Sequence, residues 1–578
     1  MGMTRKPLNV RRIIRDIMAF ERKIFEKIHR AYDSKGAKGL MGVLPKKRVF
    51  AFIRAMEENF KPLNVLSNRI ESQEPVEFRR KSLDFRLFIY LLQATFRVNP
   101  TQVEIILANP LNAELTAFIA EFSPETTISQ QEISAMQDFF APYKEEITAV
   151  AWKVKQSYHT IYATMSDTTF MDLIEDTGRR VAYNNVEKLE GVDFTQFYPD
   201  QLFPEGTKYP ADLLLKSLIY GKLALFSRTL GLVKELNRPW ELPTGELDFT
   251  VARGLGFYTY HPGKDKIYAF MDHLSEAFLE TVMLTFTEIL IQTGIVDPRQ
   301  LMIDSTALYA RQDDPDITPE KSKRGDLGRC HKVQILCDLE QTPLLVLRRP
   351  GEENDALGFE KCQPKLLQIY ALIKQYGLRV DYFLGDAGYF GQEIIDFIQR
   401  QLRADFVLDI NPRHSPRFAQ VKQLFEDYRK LSANLAQKTK FSETDRQRMI
   451  RELYQLVKSL KHVLEECELH GTDFEFRVAR AILNMGVENY LLIYRIRAVI
   501  EGLIGHLKDY YYLAGKTNSK LQIKGGEHVG VHCLLIFLAV QINAMVRYRL
   551  LKHNIRVNQN LFGVKLSEFL LHYEIVNE

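Results

Sequence analysis

Four polar residues near the C-terminus, Tyr494, Arg497, Glu501 and Lys508, are spaced so that one helix presents them together. At about 100° of rotation per residue, they fall within roughly a sixth of the helix circumference. The apolar residues of the same segment fall mostly on the opposite side, as in a helix that packs on a core. A carboxylate flanked by two cations and a phenol suits a divalent metal held against a phosphodiester. An ordinary amphipathic helix with an Arg497–Glu501 pair explains the same spacing without catalysis.

Two aspartates upstream follow predicted β-strands. The apolar residues 300–303 lead into Asp304, and residues 379–385 lead into Asp386. Both runs are short and rich in apolar residues, which is typical of buried strands. Because functional side chains of a sheet gather where strand ends meet, we expect the two carboxylates to lie close together.

Further strands and helices are needed to position these acids. We predict strands at 331–339, 343–347 and 404–410, and helices at about 354–376 and 394–402. This order of elements predicts an α+β fold with a mixed five-stranded sheet. An all-helical N-terminal region is predicted to precede the sheet.

A helical insertion interrupts the predicted sheet domain. Residues 413–470 contain no glycine and carry leucines at helical spacing, and Ser442 with Asp445 resembles a capping box. We predict a helical hairpin, which is either structural or an additional contact surface for DNA. After it, residues 474–483 are expected to form a pair of strands, and the helix that carries Tyr494 is expected to begin near residue 488.

These patterns predict seven segments along the chain. They are a basic arm (1–60), a helical region of unknown role (61–204), a helical candidate DNA-binding domain (205–290), the first part of a catalytic core (291–412), the inserted hairpin (413–470), the second part of the core (471–550) and a tail (551–578). Short helices with basic caps in 205–290 are compatible with a helix-turn-helix, although plain helical packing explains them equally well.

The composition is that of a globular protein. Of the 578 residues, 46% are hydrophobic and 26% are charged, which excludes a disordered chain. The longest apolar run, 533–546, is interrupted by Gln541 and Asn543 and is too short by itself to span a bilayer. We expect no secretory signal. The five scattered cysteines form no CxxC pair, and Cys467 with His470 is only half of a metal site, so we expect a reducing cytoplasm.

The positive charge is concentrated at the N-terminus. Residues 1–50 contain 14 Lys and Arg against 4 Asp and Glu, a net charge of +10, whereas the whole chain carries +4. Basic clusters alternate with apolar residues, which indicates a basic amphipathic helix. Such a segment favours a polyanion, either nucleic acid or an anionic membrane surface, and a solvated helical face is the alternative.

The three acids and the helix motif together resemble a known family. Asp304, Asp386 and Glu501 are arranged as in DDE transposases, whose catalytic domain has a ribonuclease-H-like fold. Tyr494, Arg497, Glu501 and Lys508 match the tyrosine-arginine-glutamate-lysine signature of bacterial insertion-sequence transposases. Residues 303–306 and 384–389 look like the family's sequences around its two aspartates. The resemblance covers about residues 205–550, and the helical insertion is unlike the strand-rich insertion of better-known relatives.

The resemblance implies a specific chemistry. Asp304, Asp386 and Glu501 would be both the catalytic residues and the metal ligands, with Asp304 bridging two Mg²⁺ ions and the other two acids holding one each; Mn²⁺ can substitute. Water would attack at the transposon end, and the freed 3′-hydroxyl would attack target DNA. Arg497 and Lys508 would neutralise the phosphate, and Tyr494 would donate a hydrogen bond to it.

The resemblance also implies the partners. These are double-stranded DNA, as terminal inverted repeats and as target, and a second copy of the chain in a homodimer on DNA. The expected location is the bacterial cytoplasm, in association with the nucleoid. Two alternatives remain: a domesticated DNA-binding protein that no longer cuts, and a hydrolytic nuclease of the same fold without strand transfer.

Several other polar residues are weaker candidates. His331 and Lys332 flank a predicted strand and are candidates for contacts with the DNA backbone. The acidic loop at Asp313, Asp314 and Asp316 is better explained as a solvated turn than as a metal site. Asp355 is expected to cap a helix, although its position also suits a residue that supports the site.

Overall fold

The structure is a computed structural model of the chain, and its described residues fall into two compact units. One unit comprises residues up to His273 together with those from Val546 onward, and the other comprises Leu274–Met545. The described residues are 42, 44, 46–73, 83–96, 98–109, 112–123, 126–164, 208–226, 228–241, 248–320, 328–436, 442–515 and 520–552, with scattered positions between 182 and 203. These units are coarser than the seven predicted segments, whose functional roles stay predictions.

The first unit is helical apart from one short antiparallel strand pair. Its elements are α1 (Lys46–Glu58), α2 (Phe60–Gln73), α3 (Leu83–Phe96), α4 (Pro100–Ala108), α5 (Ala113–Ala120), α6 (Gln130–Phe140), α7 (Lys144–Thr164), α8 (Ala211–Leu223), α9 (Thr229–Leu236), β1 (Pro239–Glu241), β2 (Asp248–Thr250), α10 (Val251–Leu255) and α11 (Lys264–His273). Phe52, Phe88 and Phe96 form edge and tilted ring contacts in its core. The predicted helical character of this region is confirmed.

The last part of the predicted basic arm, residues 1–60, contains a packed helix. Helix α1 lies within that range, yet Phe52 and Ala55 are fully buried in the core of the first unit. Arg48 is also buried and donates a hydrogen bond to the Gly254 carbonyl. The helix is therefore part of the globular core, because its apolar side packs against α7. Residues 1–41, which carry most of the predicted basic helix, lie outside the described residues.

The second unit is built on a mixed sheet with helices around it. Its elements are α12 (Glu276–Gln292), β3 (Gln300–Tyr309), β4 (Thr318–Pro319), β5 (Arg329–Cys337), β6 (Pro343–Pro350), α13 (Asp355–Gln375), β7 (Tyr382–Gly385), α14 (Gln392–Arg400), β8 (Asp405–Leu408), α15 (Pro416–Ala436), α16 (Glu443–His470), α17 (Asp473–Met485), α18 (Val487–Tyr494), α19 (Ala498–Asp509) and α20 (Gly526–Lys552). The order across the sheet is β6, β5, β3, β7, β8, with β4 paired beside β5. Strands β3, β5 and β6 are antiparallel, whereas β7 and β8 run parallel to β3.

This architecture confirms the predicted α+β class and corrects two details. The sheet has six strands, because the two-residue β4 pairs with β5 and is too short to show any periodicity. Strand β3 does not end at Asp304 but continues to Tyr309, since its antiparallel pairing with β5 persists along the whole strand. The charged residue interrupts the apolar run, which made the strand look shorter in the sequence.

The insertion is confirmed as a helical hairpin, and one strand prediction after it is wrong. Helices α15 and α16 pack against each other within residues 413–470. The expected strand pair at 474–483 is instead helix α17, which begins with a capping box between Thr472 and Glu475. Its buried residues include Val478, Ala479 and Ile482, at helical spacing. A short alternation of aromatic and polar residues at the start of this helix had suggested strands.

Helix α20 combines unusual length with a long apolar stretch. A 21-residue stretch, Gly526–Val546, is long and apolar enough to cross a membrane by length and composition, in contrast to the shorter run considered from the sequence. Most of this stretch, 83% of the apolar window, is buried inside the protein. The side-chain amide of Gln541 donates hydrogen bonds to the Thr287 hydroxyl and the Pro343 carbonyl. A helix that is apolar on all sides and bonded in this way is a core helix.

Candidate active site

Three aspartates lie in one row across the parallel strands. The last parallel pairs are Met302 with Leu384 and Gly385 with Leu408. Continuing this register places Asp304 beside Asp386, and Asp386 beside Asp409, which follows β8. The Asp409 amide donates to the Gly385 carbonyl at 3.2 Å, so the pairing does extend to this row. The sheet therefore brings the two predicted aspartates together and adds a third.

Asp355 approaches the same row from the start of α13. Its Oδ1 accepts a hydrogen bond from the Ser305 hydroxyl at 2.6 Å and is ion-paired with the fully buried guanidinium of Arg349. A Cβ atom added at Gly388 would lie 2.9 Å from Asp355 Oδ2 and 2.9 Å from Asp386 Oδ1. Two carboxylates therefore approach one glycine, which leaves no room there for a side chain.

The clustered acids are held in an environment that disfavours their charge. Burial and then the negative charge of Asp386 raise the pKa of Asp304 to about 6, against the opposing effects of the Ser305 amide and Arg497. Burial and then the charge of Asp355 raise the pKa of Asp386. Buried like charges destabilise each other's ionised form. A cation bound among them would relieve this repulsion.

The segment with the four spaced residues is not one regular helix. Helix α18 ends at Tyr494, a 3₁₀ turn covers Arg495–Arg497, and α19 follows. The tighter turn changes the rotation assumed for a continuous α-helix. As a result, Tyr494 is only 5% exposed, whereas the side chain of Glu501 is 55% exposed. The expectation of four residues on one solvent-facing side is therefore met only in part.

Arg497 connects the late helix to the sheet. Its Nη1 lies 3.4 Å from Asp304 Oδ2, and its Nη2 is ion-paired with Glu501. Lys508 is half-buried in the same region: burial lowers its pKa, and the charges of Glu320 and Asp304 oppose that shift. Ile500, Leu503 and Leu507 are buried on the other side of α19, as predicted. Burial of this apolar side holds α19 on the core, and Arg497 just before it contacts Asp304.

This arrangement is that of a known catalytic domain. Residues 296–540 match the family model described as the transposase DDE domain. This segment is therefore similar to the transposase DDE domain. No curated protein and no solved structure matches the chain significantly. The ribonuclease-H-like sheet predicted from the sequence is consistent with this family, and the DDE domain implies DNA as a partner.

Proteins with a DDE domain generally use divalent metal ions. The donor set here fits such ions, because Asp304, Asp386 and Glu501 offer carboxylate oxygens, the ligands that Mg²⁺ prefers. Within the described part of the chain, no three acidic, His or Cys side chains are yet close enough to hold an ion. The ion pair between Glu501 and Arg497 is one reason, because it holds the third acid in another contact.

His331 does not lie on the surface of the DDE domain. Its side chain is fully buried, and Nε2 lies 3.0 Å from Oδ2 of the equally buried Asp314. The prediction that His331 touches the DNA backbone is therefore wrong. Asp314 also accepts a hydrogen bond from the Gly525 amide, just before α20, so it is not the solvated turn residue that we expected. Lys332 is partly buried, and its Nζ donates to the Glu353 carbonyl at 3.0 Å.

The sequence did not single out Asp409 or Arg349. Asp409 directly follows β8, as Asp386 directly follows β7. The pattern of an acid at the end of a strand, which identified Asp386, therefore also applies to Asp409. Asp409 is ion-paired with Lys422 of the insertion at 2.6 Å. Arg349 follows a continuous apolar run in β6, and nothing in the sequence indicates its burial, because only the tertiary structure pairs it with Asp355.

Proposed function

We propose that this protein is a DNA transposase of an insertion sequence, which cuts the transposon ends and joins them to target DNA. The observation that carries the proposal is the contact from Arg497 to both Asp304 and Glu501, beside Asp386 on the neighbouring strand. It joins the three acids of a DDE domain in one site. The terminal inverted repeats and the target would be bound as double-stranded DNA.

Asp304, Asp386 and Glu501 are the residues that would hold the metal ions. Two Mg²⁺ ions, or Mn²⁺ in their place, would activate the attacking oxygen and stabilise the leaving oxygen when bound. The raised pKa values of Asp304 and Asp386 support this role, because they show how unfavourable the uncompensated charges are. Glu501 is exposed enough to turn toward the aspartates when its pairing with Arg497 is released.

Arg497 and Lys508 supply positive charge for the scissile phosphate. Both are partly buried and both are close enough to Asp304 to influence it electrostatically. Partial burial strengthens their interaction with a phosphate oxygen because less water screens it. Tyr494, by contrast, is buried next to Asp409, so we assign it a positioning role instead of the predicted hydrogen bond to the phosphate.

The remaining partners follow from the reaction. Two transposon ends must be handled together, which supports a homodimer on DNA, and DNA as substrate supports a nucleoid location in the bacterial cytoplasm. In the region 205–290, α8 is buried along nearly its whole length, whereas Leu230 and Lys234 of α9 are exposed. Helix α9 is therefore the better candidate for contacts with DNA.

The test is strand cleavage and strand joining with DNA that carries the ends of the element. We expect Asp304→Asn, Asp386→Asn and Glu501→Gln each to abolish both steps in Mg²⁺ while end binding is retained. Glu393→Gln is the matched control, because Glu393 is an exposed acid of the same domain. Cleavage without joined products would instead indicate a hydrolytic nuclease. Specific end binding by a wild-type protein that never cleaves would indicate a domesticated DNA-binding protein.

A further inference from the structure

The inserted helix α15 contacts Asp409 in the row of aspartates and contacts residues 494–508, the signature segment, at two further places. We propose that α15 is a positioning element of the active site. In this role it holds Asp409 through Lys422 and holds Arg497 through Tyr494. This assignment gives the insertion a role in the site beyond a purely structural one. Only the expected effect on catalysis rests on the proposed function. The contacts themselves are properties of the folded chain.

The first contact joins α15 to the row of aspartates. Lys422 Nζ lies 2.6 Å from Asp409 Oδ2, and both side chains are mostly buried, with 18% and 14% exposed. A buried ion pair contributes little net stability because both charges lose their hydration. Its effect here is on position, because it fixes the insertion relative to Asp409, the residue beside Asp386. The charge of Asp409 also contributes to the raised pKa of Asp386.

The second contact is a stack of cations on one ring. The guanidinium carbon of Arg429 in α15 lies 5.6 Å from the centre of the Tyr494 ring, and that of Arg497 lies 5.9 Å from the same centre. Such cation–π contacts favour a fixed position of the cation relative to the ring. The Tyr494 ring therefore links Arg429 of the insertion to Arg497.

The third contact is made by Arg495, the first residue of the 3₁₀ turn. Arg495 lies over the ring of Tyr428, with 5.8 Å between the guanidinium carbon and the ring centre, and it also donates a hydrogen bond to the Ser432 hydroxyl. Tyr428 and Ser432 are one helical turn apart in α15. Helix α15 thus contacts the first residue of the turn that carries Arg497 and the residue just before that turn.

These contacts form a path from the insertion to the chemistry. It runs from Arg429 to the ring of Tyr494, from that ring to Arg497, and from Arg497 to Asp304. A displacement of Arg497 by about an ångström is enough to reduce the rate of a positioned reaction strongly. Removing the insertion contacts is therefore expected to lower the rate of strand cleavage more than the affinity for DNA.

The experiment compares Arg429→Met and Lys422→Met with Lys430→Met in the full-length protein. Lys430 is exposed and is the next residue of the same helix, which makes it the matched control. We expect the first two variants to lower kcat for end cleavage at least about tenfold with KM for the end duplex nearly unchanged. Arg429→Lys, which keeps a cation over the ring, is expected to restore most of kcat. Lys430→Met is expected to behave as wild type.

Amide hydrogen exchange in the DNA-free protein supplies a readout that needs neither DNA nor metal. Exchange in the 3₁₀ turn Arg495–Arg497 is expected to accelerate in Arg429→Met and Lys422→Met while the strands β3 and β7 keep their protection. If the proposed reaction is wrong, cleavage is missing in wild type, but this local acceleration is still expected. Unchanged exchange in both variants would overturn the proposal, and so would a loss of DNA affinity at unchanged kcat, which would make α15 a DNA contact surface.

Discussion

Arg497 Nη1 lies 3.4 Å from Asp304 Oδ2, so a cation of the 3₁₀ turn before α19 contacts an acid of the central strand β3. The same guanidinium is ion-paired with Glu501. Any cation that binds between these two acids competes with it. This relationship makes the charge of Asp304, and therefore pH, the property of the site that is easiest to test.

Replacing Asp304 by Asn is expected to stabilise the metal-free protein at pH 8. The folded-state pKa of about 6 lies above the usual aspartate pKa of 3.8, so folding favours the protonated acid. That favourable contribution is fully present below pH 3.8 and is lost as pH rises through 6. At pH 8 Asp304 is ionised in the folded wild type, which lowers the free energy of unfolding. Asp304→Asn is expected to recover about 1–3 kcal/mol of this loss. Urea unfolding at pH 8 and pH 4 measures the difference, which should vanish at pH 4.

The same pKa predicts how metal binding depends on pH. Mg²⁺ is expected to raise the melting temperature of the wild type at pH 8 and to lose this effect as pH falls through about 6, because a protonated Asp304 is a poor ligand. Asp304→Asn should show no such shift at any pH. Equal stabilisation of wild type and variant by Mg²⁺ at pH 8 would contradict a metal site at Asp304.

Gly388→Ala is expected to disturb the site at moderate cost to folding. The added Cβ atom would lie 2.9 Å from both the Asp355 and the Asp386 carboxylate oxygens, and Asp355 is held by Arg349 and Ser305. We expect a loss of about 1–2 kcal/mol in unfolding free energy and a clear loss of cleavage rate and Mg²⁺ affinity. Gly391→Ala is the control, because nothing lies within 4 Å of its added Cβ. Equal cleavage rates of the two variants would show that the two carboxylates tolerate displacement.

Gly530→Ala is expected to destabilise the packing of α20. The Cβ would lie 1.9 Å from the carboxyl carbon of Glu276, whose Oε1 accepts a hydrogen bond from Arg348 at 3.0 Å. Moving Glu276 would strain or break this partly buried pair, at about 1–3 kcal/mol. Gly505→Ala in α19 meets no atom within 4 Å and should instead stabilise the protein by about 0.5–1 kcal/mol. Thermal or urea unfolding of both variants checks the opposite signs.

The buried pair of Asp314 and His331 is expected to be sensitive to acid. Burial alone would raise the pKa of Asp314, but hydrogen bonds from His331 and from the amides of Asp316 and Gly525 outweigh it and lower the pKa. A lowered pKa stabilises the fold above about pH 4, and this contribution is lost as pH falls through the folded-state pKa. Asp314→Asn should therefore cost about 1–3 kcal/mol at pH 7 in urea unfolding.

The control for that pair is the neighbouring Asp313→Asn. Asp313 is half exposed and pairs with Arg311 and Lys524 at the surface. Exposed ion pairs contribute little, so we expect almost no change in unfolding free energy. If Asp313→Asn destabilised the protein as much as Asp314→Asn, the buried pair would not be the source of the effect.

The fold was predictable where the signal is local. The order of strands and helices around the sheet, the helical hairpin and the buried side of α19 all follow from apolar periodicity and caps that lie within a few residues. The predictions were wrong where the local sequence pattern disagrees with strand pairing or with a helix cap. Asp304 interrupts an apolar run although β5 keeps β3 extended to Tyr309, and residues 474–483 alternate although the cap at Thr472 starts a helix.

The sequence by itself determined the family that the domain resembles and the residue types of the site. Both follow from features that are visible in the sequence, namely the order of the two aspartates and the spacing of the four later residues, Tyr494, Arg497, Glu501 and Lys508. Only the tertiary structure decided which of these residues touch. It buried His331 against Asp314, buried Tyr494 under Arg429 of the insertion, and paired Lys422 of the insertion with Asp409. Burial and charge pairing depend on partners that are distant in sequence, which local patterns do not report.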